Sequence, residues 1–237
     1  MRHKVELWGP YGLFTKPGLK VERFSYPVPT PSSMRGILDA IYVKPTKFYW
    51  AVKAILLLAQ STYLAVSRNE IKEHISKNNV KQWMKGKSVK TVIVDAQEQN
   101  YGRTQRQSMI LTGVIGADRN KGVHYCVEAE IKPRPGYEKD IDEFNEQFIR
   151  RVDAGQCHHH PYMGCREFPV YFKMADEQTP KPINYTADLG VMLYDCFDVR
   201  VMQKHFVAPV YTVFHAKVKN GILTVPDIDS EGVKKPE

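Results

Sequence analysis

Two neighbouring segments of this sequence have clear but different periodicities, and they constrain the fold more than any other feature. Residues 123–131 alternate between apolar and polar side chains, which is typical of a β-strand with one buried face. After a turn at residues 133–136, apolar residues recur at spacings of three and four over residues 140–152, which predicts an amphipathic helix. Gly155 is suited to cap the C-terminus of that helix. The chain therefore mixes strands and helices.

A second helix is predicted near the N-terminus. Ser32 or Ser33 can act as its N-cap, because a side-chain hydroxyl can accept a bond from a free N–H of the first turn. Apolar residues at helical spacing then run from Met34 to about Val43, before the next proline. Arg35 and Tyr42 lie seven residues apart, so we expect them to share one side of this helix.

Strand-like segments account for much of the remaining chain. Residues 50–66 predict one or two strands, or a strand with a helical flank, and the sequence alone leaves this choice open. Asn220-Gly221 is a strong signal for a hairpin turn. The other predicted strand segments are residues 3–8, 91–94, 168–172, 188–193, 207–217 and 222–225.

Charge and cysteine content narrow the classes of function. Of the 237 residues, 34 are Lys or Arg and 26 are Asp or Glu, and the resulting formal net charge of +8 favours a nucleic acid as partner. No apolar run approaches 18 residues and no hydrophobic signal region is evident, so we expect a cytoplasmic protein with no membrane partner. Four cysteines without a C-x-x-C pair are too few for a disulfide scaffold.

A lysine-rich stretch is one candidate for a nucleic-acid surface. Residues 72–90 contain six lysines interleaved with Trp83, and the polar loop predicted after them contains Arg103 and Arg106. Cations combined with a stacking ring are typical of a surface that follows a phosphate backbone. The alternative is a solvated amphipathic face. Further cations that add to the nucleic-acid interpretation are Arg150, Arg151 and Arg166.

The run Cys157-His158-His159-His160, with Cys165 beyond it, is the densest group of potential metal ligands. A zinc site needs four N or S ligands in a tetrahedron, and in an extended chain only His158 and His160 can point to one side. The alternative is a polar loop whose imidazoles face solvent or RNA phosphates. We favour this loop, and the sequence therefore assigns neither a metal nor a cofactor.

Several short segments, in order along the chain, resemble one family of CRISPR-associated proteins. They are Phe14–Pro17, Ser25–Thr30 and Gly36–Thr46, followed by Gly164–Phe168 and Asp188–Leu193. The family is the fifth family of Cas proteins in its Dvulg (type I-C) subtype, a branch of the RAMP superfamily. The resemblance covers roughly residues 3–225, and residues 47–120 match poorly.

The resemblance implies an α+β protein. It implies a ferredoxin-like, RNA-recognition-type N-terminal domain over residues 1–165 and a C-terminal antiparallel β extension over residues 166–237. It also implies metal-independent cleavage of CRISPR precursor RNA at the 3′ base of the repeat hairpin. The protein then stays on the 5′ handle of the crRNA, together with other subunits of a type I-C interference complex. The alternative is a non-catalytic RNA-binding subunit that caps this handle.

The resemblance also assigns site residues. Tyr42 matches a family tyrosine that orients or deprotonates the RNA 2′-OH, the nucleophile that leaves a 2′,3′-cyclic phosphate. Many members carry a Lys-His pair at positions that fall here on Glu143 and Phe144, and neither residue can take over its role. The candidate substitutes are Lys139, His124 and the His158–His160 loop. The candidate RNA-binding residues are Arg35, Lys44, Arg103, Arg106, Arg150, Arg151, His158 and Arg166.

Overall fold

The computed structural model describes residues 1–19, 21–71, 75–89, 103–113, 122–201 and 209–235. Within these ranges the chain forms twelve strands, three α-helices and a short 3-10 helix at Glu138–Asp140. The strands are β1 Arg2–Gly9, β2 Tyr11–Gly12, β3 Arg23–Phe24, β4 Phe48–Leu57, β5 Ser61–Ile71, β6 Arg103–Gly113, β7 Val123–Pro133, β8 Tyr171–Met174, β9 Ala187–Asp195, β10 Thr212–Lys219, β11 Ile222–Thr224 and β12 Val233–Lys234. The helices are α1 Pro31–Ile41, α2 Lys77–Met84 and α3 Ile141–Asp153.

Eight of these strands form one antiparallel sheet. Its order is β12-β10-β11-β4-β7-β1-β8, and β9 pairs with β10. Along the chain its central part follows the order β1, α1, β4, β7, α3, β8. β8 pairs with β1 and β11 pairs with β4, so residues on both sides of position 165 contribute strands to one sheet. The domain boundary at 165 stays a prediction.

A smaller sheet is built around β6. Its order is β2-β6-β3, β5 pairs with β6 along its whole length, and the short β3–β6 pair is parallel. The region predicted as one or two strands therefore forms two, β4 and β5. The loop predicted for Arg103 and Arg106 is wrong, because both residues lie on β6 and pair with β5. The long-range pairing with β5 outweighs the polar composition of this segment.

Parts of the predicted basic surface lie outside the described residues. Lys72, Lys90 and the side chain of Arg103 belong to these parts. The strand predicted over residues 91–94 also lies outside the described residues. The described part of the lysine-rich stretch contains α2, in which every side chain is at least partly exposed. Among all the described residues of the protein, no helix is long and apolar enough to cross a membrane.

Helix α1 begins earlier and ends earlier than predicted. Its N-cap is Thr30, whose hydroxyl accepts a hydrogen bond from the N–H of Ser33, so neither predicted serine takes this position. Pro31 fits the first turn because the N–H that proline lacks would have no partner there. The helix ends at Ile41, and Tyr42 is extended, with φ −148° and ψ 116°. The prediction that Arg35 and Tyr42 share one helix side is therefore wrong.

Several local predictions are confirmed. The odd-numbered residues of β7 from Val123 to Ile131 are all buried, and α3 lies within one residue of the predicted helix. Gly155 has φ +62°, and the N–H groups of Gly155 and Gln156 close the end of α3 in a Schellman arrangement. The Asn220-Gly221 turn has two positive φ values, as a type I′ hairpin requires.

The main core lies between the central strands and helices α1 and α3. It is rich in aromatic rings, which pack edge to face or tilted against each other. Large side chains that are fully buried in this core include Phe48, Trp50, Tyr125, Phe144, Phe148, Ile37, Leu38 and Ile41. This packing holds the C-terminal end of α1 against α3, where the predicted catalytic tyrosine lies.

Candidate active site

Tyr42 lies directly after α1, in a position that its neighbours define tightly. Its side chain is buried, and its ring packs against Phe48 at a centroid distance of 5.2 Å. The indole Nε1 of Trp50 donates a hydrogen bond of 2.9 Å to its carbonyl oxygen. Within the described part of the chain, the Tyr42 hydroxyl makes no hydrogen bond of good geometry, although it interacts with the Lys44 ammonium. A ligand that displaces Lys44 could therefore form a hydrogen bond with this hydroxyl.

Two cations lie over the Tyr42 ring. The Lys44 ammonium is 5.6 Å from the ring centroid, and the Arg151 guanidinium carbon is 5.5 Å from it. The pKa of Lys44 is raised above its ordinary value, first by the Tyr42 hydroxyl and further by Glu143, so this ammonium stays charged. The sequence predicted both cations as RNA-binding residues, and the structure places both beside the predicted catalytic tyrosine.

Glu143 is part of the same group of side chains. Its carboxylate lies 3.6 Å from the Lys44 ammonium, and this ammonium also lies 5.2 Å from the centroid of the Phe144 ring. Glu143 and Phe144, the positions assigned to the family's Lys-His pair, thus both lie beside Lys44, although neither residue provides a cation. We call Tyr42, Lys44, Glu143 and Arg151 the tyrosine cluster.

The histidine loop is anchored beside the tyrosine cluster. The backbone N–H groups of His158 and His159 both donate to the carbonyl oxygen of Ala40, at 2.7 and 3.0 Å. The imidazoles of these two residues are exposed, with ring centroids 4.2 Å apart. An Arg151 Nη1–H donates to the Ile41 carbonyl at 3.3 Å. The last carbonyls of α1 therefore bring the loop and the arginine to the same helix end.

His124 lies elsewhere. It is buried, and its Nε2 is 2.7 Å from the Glu6 carboxylate, which also accepts a hydrogen bond from Thr179. In β7, His124 alternates with Tyr125, which faces the core and the helices. The sheet therefore separates His124 from Tyr42, and the structure does not bring these two candidates together. The alternating pattern of β7 correctly predicted that His124 lies on the face opposite Tyr125. The pattern contained no information about which of the two faces holds the site.

Arg35 is held inside the protein by two carboxylates. Asp195 accepts from its Nε and Nη2 at 2.8 and 3.0 Å, and Asp39 accepts from its Nη1 at 2.7 Å. Burial opposes the charged guanidinium, but Asp195 and Asp39 outweigh this and raise the pKa of Arg35. Burial raises the pKa of the Asp39 carboxyl, and the neighbouring Arg35 guanidinium partly offsets this rise. The role of Arg35 in RNA binding stays a prediction.

The remaining candidates lie on other surfaces. Lys139 is exposed on the 3-10 helix before α3, and Arg150 is exposed on the last turn of α3 with Gln147 as its neighbour. Arg166 is exposed in the loop before β8. Arg106 lies on β6 opposite Arg68. Of the predicted RNA-binding side chains, the structure therefore brings Lys44 and Arg151 to Tyr42, with the His158 loop beside them.

The possible metal ligands do not converge in the described part of the chain. The Cys165 thiol donates to the Glu167 carboxylate at 2.9 Å and lies near Arg23 and Arg68. His158, in contrast, is fixed at the end of α1. Over the described residues, no group of three or more His, Cys, Asp or Glu side chains has the geometry to hold a metal ion.

Replacing His158, His159 and His160 together by alanine should leave the protein folded and release no stoichiometric zinc. The loop is held by backbone N–H groups, which alanine retains, and the imidazoles are exposed. Thermal unfolding and elemental analysis of wild type and variant check this. A zinc ion present in the wild type and lost in the variant would support the metal alternative instead.

A small α+β protein with an antiparallel sheet, a basic surplus and a tyrosine between two cations is suited to handling RNA. Comparison with known families makes this class specific. The family model described as "CRISPR-associated protein (Cas_Cas5)", Cas5d, matches residues 4–226. The chain belongs to this family of CRISPR-associated proteins.

Two curated relatives extend the comparison over the whole chain. A protein of Mannheimia succiniciproducens is 37% identical over 245 residues, and the alignment covers 99% of each chain. A protein of Thermus thermophilus is 36% identical over 239 residues, and this alignment covers 95% of the present chain and 91% of the relative. Both are named "CRISPR pre-crRNA endoribonuclease Cas5d".

Solved structures share the fold. A crystal structure of a CRISPR-associated protein superposes with a TM-score of 0.63 at 18% identity, over 99% of this chain and 96% of the other. A functionally uncharacterized protein of Streptococcus mutans gives a TM-score of 0.59 at 19% identity, over 99% and 97% of the two chains. The arrangement of sheet and helices is therefore one that other proteins also adopt.

Proposed function

We propose that this protein is an endoribonuclease that cleaves CRISPR precursor RNA, the activity for which its two curated relatives are named. The observation that carries the proposal is the tyrosine cluster. Its buried hydroxyl interacts with the Lys44 ammonium but makes no hydrogen bond of good geometry within the described residues, and two cations lie over its ring. These are the groups that an attack by the RNA 2′-OH on the adjacent phosphate needs, one to orient the hydroxyl and others to balance the phosphate charge.

In this mechanism Tyr42 orients the 2′-OH, and Lys44 and Arg151 stabilise the negative charge that develops on the phosphate oxygens. Arg151 suits this role because its buried Nε has no partner within the described residues, while its Nη1 is fixed by the Ile41 carbonyl. The exposed imidazoles of His158 and His159, whose loop is held at the end of α1, are the candidates to protonate the leaving 5′-oxygen. The 2′-oxygen forms a bond to phosphorus and releases its proton to solvent water, while the P–O5′ bond breaks and the 5′-oxygen takes a proton from an imidazole. The products are a 2′,3′-cyclic phosphate and a 5′-OH, and no step requires a metal ion.

RNA binding would open the tyrosine cluster. The hydroxyl is shielded in the free protein, and Lys44 lies over the ring with Glu143 as its ionic partner. The Glu143 side chain is 71% exposed, and an ion pair at such a surface contributes less than about 1 kcal/mol. An RNA phosphate can therefore replace Glu143 as the partner of Lys44, and the movement of Lys44 exposes the Tyr42 hydroxyl to the 2′-OH.

The finer architecture is also part of the proposal. The chain order β1, α1, β4, β7, α3, β8 and the sheet order β4-β7-β1-β8 support a ferredoxin-like N-terminal domain, of the βαββαβ type, with a C-terminal antiparallel β extension. We place the protein in the cytoplasm, bound after cleavage to the crRNA 5′ handle beside other subunits of a type I-C interference complex.

Incubation of the purified protein with repeat RNA in EDTA tests the proposed function. We expect one discrete cut and a product that ends in a 2′,3′-cyclic phosphate, as end-group analysis would show. Binding without a cut would instead identify a non-catalytic subunit that caps the 5′ handle. A cut that requires a divalent metal ion would contradict the proposed mechanism.

Affinity for repeat RNA should fall steeply as salt concentration rises. Each phosphate neutralised by a lysine or arginine releases condensed counterions, with a slope of about −0.7 in log K against log salt per contact on a single strand. Titrations at several salt concentrations measure this slope. A nearly flat response would contradict a nucleic-acid surface on this chain of formal charge +8.

A further inference from the structure

A concave surface lies along α1, from Ser32 to Ala40. It is a groove of about 270 Å³, close to the lower end of the size range of small-molecule sites. Its floor is formed by small side chains of α1, including Ser33, Gly36 and Ala40, and its walls carry the rings of Tyr162 and Phe197. We propose that this groove, here called the base groove, binds one unstacked nucleobase of the RNA substrate. The proposal rests on the proposed function and adds a recognition site to it.

The walls of the groove provide surfaces on which a base can stack. Tyr162 is 38% exposed and Phe197 is 41% exposed, so part of each residue is accessible to a ligand. Proteins that bind single-stranded RNA use exposed aromatic rings of this kind, because every base has a π-face to offer. The small side chains of the floor leave the space between the walls open, and a Cβ added at Gly36 would meet no atom within 4 Å.

The wall that carries Phe197 is fixed to α1 by a buried ion pair. Asp195 binds Arg35 of α1 through both carboxylate oxygens, and the same carboxylate accepts hydrogen bonds from the N–H groups of Cys196 and Phe197. One carboxylate thus sets the distance between the floor and this wall. In this proposal Arg35 supports RNA binding without contacting a phosphate, because its ion pair with Asp195 fixes the shape of the groove before a base binds.

The groove reaches the last turn of α1, next to the tyrosine cluster. Ala40 lines the groove, and its carbonyl oxygen holds the N–H groups of His158 and His159. Gly36 and Tyr42 are six residues apart, which corresponds to about 9 Å along a helix axis. Because a stacked strand rises about 3.4 Å per nucleotide and an unstacked one spans more, this distance corresponds to at most about three nucleotides. A base in the groove would therefore lie close to the scissile phosphate, and the groove would help to select the cleavage position.

A side chain of a partner subunit is the other kind of occupant. A nucleobase is favoured because the groove lining includes Ala40, which holds the histidine loop, and Gly164, two residues before the exposed Arg166, in a protein with a net charge of +8. A phosphate backbone that follows these cations would bring its bases to the groove.

Substitutions at the floor and at the wall test the base groove. Gly36→Leu fills it, Gly36→Ala fills it partly, and Phe197→Ala removes a stacking surface. Leucine and alanine form helices better than glycine does, so both Gly36 variants should unfold at or above the wild-type temperature. Tyr171→Ala is the matched control, because Tyr171 is a ring that is 55% exposed on β8, outside the groove.

The measurement is the Kd for repeat RNA at fixed salt, with 2′-deoxy substitution at any cut site so that binding is separated from cleavage. We expect Gly36→Leu and Phe197→Ala to weaken binding about tenfold, Gly36→Ala less, and Tyr171→Ala not at all. A set of RNAs, each with one abasic nucleotide, should contain one position whose loss weakens wild type about tenfold and the Phe197→Ala variant hardly at all.

Equal affinities for all variants, or an equal response to every abasic position, would overturn the proposal and leave a partner protein as the occupant. These outcomes do not depend on catalysis. If wild type binds with the expected abasic pattern but does not cut, the groove stands and the proposed activity fails. If wild type cuts but no abasic position depends on Phe197, the activity stands and the groove proposal fails.

Discussion

Tyr42→Phe should slow cleavage of repeat RNA by about 10² or more, while the affinity for RNA changes little. The substitution removes one hydroxyl, keeps the ring between Lys44 and Arg151, and leaves the contact with Phe48 intact. Loss of a group that orients or deprotonates the nucleophile has an effect of this size on rate. One neutral hydrogen bond contributes only about 1 kcal/mol to binding, so Kd should stay within about tenfold.

The stability of the same variant separates catalysis from packing. The Tyr42 hydroxyl is buried and makes no hydrogen bond of good geometry among the described residues, so its removal should change the free energy of unfolding by about 1 kcal/mol or less. Tyr42→Ala, in contrast, should destabilise the protein by about 3–5 kcal/mol because it leaves a cavity beside Phe48. Single-turnover cleavage and chemical denaturation of both variants measure this. Wild-type cleavage by Tyr42→Phe would remove Tyr42 from the mechanism and favour the binding-only subunit.

Asp195→Ala should lower the free energy of unfolding by about 3 kcal/mol. The substitution leaves Arg35 without its bidentate partner in a buried position, and it also removes the acceptor of the Cys196 and Phe197 N–H groups. Removal of one partner of a buried ion pair costs about 3–5 kcal/mol. We expect the lower end of this range because Asp39 still binds Arg35.

Asp188→Ala is the matched control for this experiment. Asp188 also lies on β9 and also has a cationic partner, Lys217, but both side chains are more than half exposed. Solvent screens such a pair, so the variant should unfold at the wild-type denaturant concentration within error. Equal stability losses in the two variants would show that the buried pair of Arg35 and Asp195 has no special weight in the fold.

The sequence by itself determined the elements whose residues repeat with a local period. The strand over residues 123–131, the helix of residues 140–152 and the Asn220-Gly221 turn could be predicted because their signals lie within a few residues of one another. Short motifs around Tyr42 were also sufficient to indicate the family, which the comparison over residues 4–226 confirms.

Contacts between distant parts of the chain were decided only by the tertiary structure. Arg35 and Asp195 are 160 residues apart, and Tyr42 and Arg151 are 109 apart, so no local pattern could pair them. The end of α1 at Ile41 depends on the packing of Tyr42 against Phe48, and the strand at Arg106 depends on its pairing with β5. The physical reason is the same in each case. Helical and strand periods follow from backbone geometry over a few residues, whereas burial and ion pairing depend on which distant surfaces meet when the chain folds.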